Sequence, residues 1–123
     1  VEIPLGRALL ARVEDNYKEE IIMIYGVVSV RVKAGKFRDW LELFKSNAIR
    51  VRQEKGCIQY IPVVDIDVGL PIQALDKNVI TILETWESLE VLRDHLAAPH
   101  MAAYFEKEKD LVEGVSLKML QET

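Results

Sequence analysis

The stretch VVSVRVKAGKFRDWLELF, Val27–Phe44, carries two hydrophobic periods in succession. Val28, Val30 and Val32 alternate with Ser29, Arg31 and Lys33, which is the pattern of a half-buried strand. Gly35 breaks it, and Phe37, Trp40, Leu41, Phe44, Ala48 and Val51 then recur at spacings of three and four, the stripe of an amphipathic helix. Asp39 falls early in that helix and Arg50, Arg52 and Lys55 late, the charge order that the helix dipole favours, and Gly56 stands where a left-handed C-terminal cap is wanted.

The same strand-to-helix unit recurs downstream. Residues 78–86 read as a strand, Ser88 caps a helix carrying Leu89, Leu92 and Leu96, and Pro99 restarts helical turns through Met101, Phe105 and Leu111. With a first strand at 21–32, a second at Cys57–Val64 and a last at Val115–Leu120, the order is β-α-β-β-α-β. This duplicated split β-α-β unit predicts an α+β, ferredoxin-like fold, an antiparallel sheet with helices on one face.

Two helices cover one face of such a sheet, yet both faces read as apolar. Ile58, Tyr60 and Pro62 alternate with Ile61 and Val63, and Val79 and Leu83 with Ile80, Ile82 and Trp86. A bare apolar face on a soluble chain calls for a cover, which predicts a homodimer packed through the open sheet face. The connection 65–77, with Val68, Leu70, Pro71, Ile72 and Leu75, is too long for a tight hairpin and too apolar for a solvated loop, and is expected to pack as a dimer contact or pocket rim.

Composition narrows the function. Length 123 and 50% hydrophobic content suit a single core. Residues 21–123 are expected to form one domain, preceded by an extension, residues 1–20, in which Leu5, Leu9 or Leu10, Val13 and Tyr17 have helical spacing. Sixteen basic and 20 acidic residues are dispersed and leave a net charge of -4, so no basic face exists for nucleic acid. No apolar run is long enough to span a bilayer, and the first residues lack the pattern of a secretory signal. The single cysteine, Cys57, suits a reducing cytoplasmic setting. Scattered glycines signal no nucleotide loop, and no cofactor and no metal are expected.

Both histidines fall in ETWESLEVLRDHLAAPHMAAY, Glu84–Tyr104. His95 lies near the carboxyl end of one helix, where the dipole favours imidazolium, and His100 just after Pro99 at a helix start, where it favours the neutral ring. The two are thus expected to titrate apart. A lone histidine on such a helix is as often a structural hydrogen-bonding residue, but Trp86, Met101, Tyr104 and Phe105 lie close in sequence and favour a pocket. Tyr60 is either a pocket hydroxyl or a cross-strand aromatic. Glu84 is read as a solvent-facing strand residue in preference to an acceptor at a pocket mouth.

Together with GCIQYIPVVDID, Gly56–Asp67, and with Val27–Phe44, this stretch resembles the antibiotic biosynthesis monooxygenase family, in particular its quinol monooxygenase-like branch, over roughly residues 22–120. The resemblance implies a dimeric α/β barrel with a pocket in each subunit between sheet and helices. It also implies cofactor-independent oxidation of a small aromatic quinol or polyphenol by O2. His95, with His100 beside it, would serve as base or anion stabiliser, and Trp86, Tyr60, Met101, Tyr104, Phe105, Val28 and Glu84 would line the substrate site. Haem-degrading relatives place their asparagine, tryptophan and iron-ligating histidine at about Val28, His95 and Phe105, so the axial ligand is missing here. Isomerisation of a small phosphorylated carbonyl compound, or ligand binding without turnover, are the alternatives.

Overall fold

The computed structural model describes residues 22–123, so the helical extension expected at residues 1–20 lies outside the described residues. Four strands form one antiparallel sheet: β1 (Ile24–Val32), β2 (Cys57–Val64), β3 (Val79–Trp86) and β4 (Val112–Leu120), in the spatial order β2-β3-β1-β4. Between them run α1 (Phe37–Arg52), α2 (Leu89–Ala97) and α3 (Pro99–Glu108). This is the expected ferredoxin-like topology with one difference, since the second helical segment is two helices. Ala98 is extended, with ψ of 137°, and Pro99 opens α3. A residue before proline is pushed out of the α region, and proline lacks the N–H that would continue the ladder, so the chain turns there and restarts. The last helix stops at Glu108, and β4 starts three residues earlier than its alternation suggested.

Strand parity decides what the helices cover. Ile24, Val28, Val30 and Val32 of β1 and Ile80, Ile82, Glu84 and Trp86 of β3 are buried on the helix side. Trp40, Phe44, Ala48 and Val51, one stripe of α1, close over them. The opposite face carries Val27, Ile61, Val63 and Leu83 among Ser29, Thr81, Ser116 and Lys118, so it is more mixed than an uninterrupted apolar surface. In β2 the register shifts between Cys57 and Gln59, which leaves Ile58 exposed and Tyr60 buried, whereas simple alternation put both on one face. The connection 65–78 is held by its own polar contacts, Asp65 and Asn78 on Asp76 and Gln73 on Ile66 and Val68, while Ile72 is 94% exposed. Its apolar side chains do not pack on this subunit.

Helix α1 ends earlier than the position of Gly56 suggested, with Gln53 as its cap. Gly56 is nonetheless left-handed, φ +82°, and starts β2. A Cβ there would lie 2.6 Å from Val91 Cγ2, on the first turn of α2. Gly56→Ala is therefore expected to combine left-handed strain with a clash and to cost about 2–4 kcal/mol. Urea unfolding with an unchanged m-value checks it.

Candidate functional site

The turn that Gly56 closes also positions Glu54. Its carboxylate lies between the two histidines, with Oε1 and Oε2 at 3.1 and 3.2 Å from His95 Nδ1, and Oε2 at 2.7 Å from His100 Nε2. Burial acts to raise the Glu54 pKa, but the hydrogen bonds and charge of His95 and then of His100 outweigh it and hold the group below its ordinary value. Glu54 is thus an ionised acceptor. An ionised carboxylate offers only lone pairs, so each imidazole must donate to it: His95 through Nδ1–H and His100 through Nε2–H. The two rings, expected to sit in separate surroundings, are coupled through one side chain. Nothing local in the sequence signals this, because Glu54 is 41 residues from His95.

His95 is 2% exposed, and its ring lies 4.4 Å from the Trp86 indole, tilted by 33°. Tyr60 stands edge-on to both, at 5.7 Å from His95 and 6.4 Å from Trp86. The backbone carbonyl of Tyr60 accepts from Arg52 Nε at 2.9 Å, which ties β2 to the end of α1.

Glu84 pairs in register with Tyr60 on one side and Gly26 on the other. It is 6% exposed and faces the helices, which corrects its reading as a solvent-facing residue. The physical reason is a dedicated donor, since Trp86 Nε1–H points to Glu84 Oε1 at 2.8 Å. A side chain at position 26 would meet Met119 Sδ at 3.2 Å and Glu84 Cβ at 3.3 Å, so glycine leaves the room in which the carboxyl lies. Burial raises the Glu84 pKa, with only partial compensation from the charge of His95 and the Trp86 hydrogen bond. Burial, followed by the charge of Glu84, likewise pushes the Tyr60 phenol well up. His95 Nε2, Tyr60 Oη and the second oxygen of Glu84 make no hydrogen bond to any other described residue. A basic nitrogen and two groups biased towards their protonated forms thus gather around the buried indole of Trp86.

The remaining expected site residues divide. Met101 and Tyr104 are buried on α3, with Met101 Sδ accepting from Asn47 Nδ2 at 3.3 Å and the Tyr104 hydroxyl donating to Glu108 at 2.8 Å. Glu108 also accepts from Trp40 Nε1 at 2.8 Å; burial raises its pKa, and these two bonds offset part of the rise. Phe105 stands edge-on to Tyr104 and is only partly buried, and Val28 lies two residue pairs along the sheet from the Glu84 row. Sequence reasoning missed Glu54, Glu108 and Asn47.

The raised pKa of Glu84 has a testable sign. Stability from its protonated form is fully present below the ordinary value of 4.5 and is lost as pH rises through the folded value. Glu84→Gln keeps an amide oxygen for Trp86 and cannot ionise. The variant is expected to melt like wild type in acid and to be more stable than wild type at neutral pH. A calorimetric pH series checks this.

Among the described residues no helix is long and apolar enough to cross a membrane. A family model described as antibiotic biosynthesis monooxygenase matches residues 23–107. The chain is 33% identical over 101 residues to the "Probable quinol monooxygenase YgiN" of Escherichia coli K12, covering 80% of this chain and 97% of that one. Of the solved structures, a conserved protein from Methanosarcina mazei superposes with a TM-score of 0.73 at 20% identity, over 84% of this chain and 95% of that one. A Bacteroides thetaiotaomicron protein of unknown function does so with 0.70 at 27% identity, over 84% of this chain and all of its own.

Proposed function

This chain belongs to the antibiotic biosynthesis monooxygenase family, and we propose that it oxidises a quinol or related polyphenol with O2, without a bound cofactor and as a homodimer. The observation that carries this reading is the pairing of His95 with Glu54. By accepting Nδ1–H, the carboxylate leaves the Nε2 lone pair free on a ring packed against Trp86 and Tyr60. A positioned imidazole with a fixed tautomer is a general base, and the carboxylate behind it stabilises the imidazolium that forms.

In water a phenol titrates near 10 and an imidazole near 6.5, so the proton transfer is uphill by about 5 kcal/mol. Tyr60 Oη and a protonated Glu84 are donors that offset this cost by hydrogen-bonding the phenolate oxygen as charge develops. The electron-rich anion then reduces O2. In the simplest balance the quinol loses two electrons and two protons to give the quinone, and O2 gains both to give hydrogen peroxide. Where oxygen is inserted, one atom stays on the ring as a carbonyl and the other leaves as water.

The second subunit would cover Val27, Ile61, Val63 and Leu83 on the open face. Sedimentation should then give twice 14.1 kDa. For the chemistry, a benzohydroquinone and a naphthohydroquinone are followed with an oxygen electrode above their autoxidation. Oxygen uptake proportional to quinol loss, with both halted under nitrogen, is the expected result. Equal quinol loss without O2 contradicts the reading, and ligand-induced stabilisation without oxygen uptake would reassign the chain to binding.

A further inference from the structure

On the far side of Glu54 from the Trp86 indole, α1 and α3 enclose a cleft of about 190 Å3. The two helices run antiparallel, as the pairing of Trp40 with Glu108 and of Asn47 with Met101 shows. Arg50 and His100 therefore meet at one end of the cleft, and Leu43 and Lys107 at the other, with Tyr104 in between. Seven residues of helix separate the ends, about 10 Å at 1.5 Å per residue.

The charge of this lining is one-sided. It includes Arg50 and Lys107 and no aspartate or glutamate, in a chain whose net charge is -4. Neither cation forms an ion pair among the described residues. Each lies in the last turn of its helix, where the dipole alone favours a basic residue. The dipole does not require the two to converge on one concavity, nor that His100 join them there. His100 is further constrained, because its Nε2–H is committed to Glu54, which leaves Nδ1 as its remaining polar atom.

We propose that this cleft is a binding site for a small organic oxyanion, a carboxylate or phosphate carried on one ring or a short apolar chain. Arg50 forks the oxyanion, His100 in its imidazolium form adds a donor, and Lys107 contributes attraction from the far end. The body of the ligand lies on Leu43 and the Tyr104 ring. An apolar cavity of about 150 Å3 suffices for benzene, so the cleft volume matches one ring. The proposal does not depend on quinol oxidation.

The full chain is titrated with benzoate, phenyl phosphate and neutral benzamide, followed by amide and imidazole NMR. Saturable binding of at least one anion is expected, with shifts centred on Asn47, Arg50, His100 and Lys107. Benzamide should bind about tenfold more weakly or not at all, and added salt should weaken the anion. Arg50→Gln should weaken the anion by about tenfold and Lys107→Gln by a few-fold, with melting unchanged. If Arg50→Gln melts lower, Lys107→Gln and the benzamide comparison decide. Benzoate or phenyl phosphate as the tighter ligand separates a carboxylate site from a phosphate site. Failure of both anions to saturate, affinity equal to that of benzamide, shifts centred elsewhere, or binding indifferent to the substitutions would overturn the proposal.

Discussion

His95→Ala is expected to lower quinol-dependent oxygen uptake by about 10²- to 10⁴-fold, the range of one positioned general base. The variant loses the Nε2 lone pair of the ring packed against Trp86 and Tyr60 and leaves no comparable acceptor there. Removing a buried ring also leaves a cavity, so folding must be read separately by near-ultraviolet circular dichroism, to which Trp86 and Tyr60 contribute. The loss should fall mainly on kcat, since the base acts in the transition state, and the bell or limb of the pH–rate profile assigned to the imidazole should disappear. A folded His95→Ala enzyme with wild-type kcat removes His95 from the chemistry. Glu54→Gln is the milder companion: an amide can accept from one ring but also donates, so the tautomer of His95 is no longer fixed, and a loss of about tenfold or more is expected.

Trp40→Ala has the largest expected effect on stability. Trp40 is fully buried, lies 5.1 Å from Phe44 in a stacked arrangement, and gives its indole N–H to Glu108. Truncating a buried tryptophan costs about 3–5 kcal/mol, and Glu108 would also lose one of its two side-chain donors. Against a total stability of about 5–15 kcal/mol, the variant should be partly unfolded under mild denaturant. Trp40→Phe keeps a ring on Phe44 but loses the donor and part of the indole volume, so it should fall between. A chemical-unfolding series of the two variants checks the order, and equal losses would show that the stack retained by phenylalanine contributes nothing and that loss of the indole with its Glu108 hydrogen bond sets the cost.

The framework was legible because period and parity agree with it. The change from alternation at Val28–Val32 to the three-and-four spacing after Phe37 marks a real strand-to-helix boundary, and its repetition around Trp86 gives the split topology. Pro99 was equally informative, although reading it as a restart understates what the extended Ala98 does to the helix axis. Glu84 carried two opposing signals. Its parity with Ile80, Ile82 and Trp86 places it inside, whereas the general tendency of carboxylates points outward; the indole N–H of Trp86 satisfies it and the inside prevails. The shift at Cys57 and Gln59 has no pattern that alternation can reveal. Glu54 is the instructive omission. Its role is set by the return of α2 and α3 past the end of α1, a long-range packing relation, while its own neighbours, Gln53 and Lys55, describe nothing more than a polar turn.

The measurement closest to the core of this account is the protonation pattern of the two imidazoles in 15N-labelled protein, read by long-range nitrogen–proton correlation above the pH at which the rings are neutral. The prediction is a proton on Nδ1 of His95 with a bare Nε2, and a proton on Nε2 of His100 with a bare Nδ1. A His95 ring protonated at Nε2, or a pattern that Glu54→Gln leaves untouched, would contradict it.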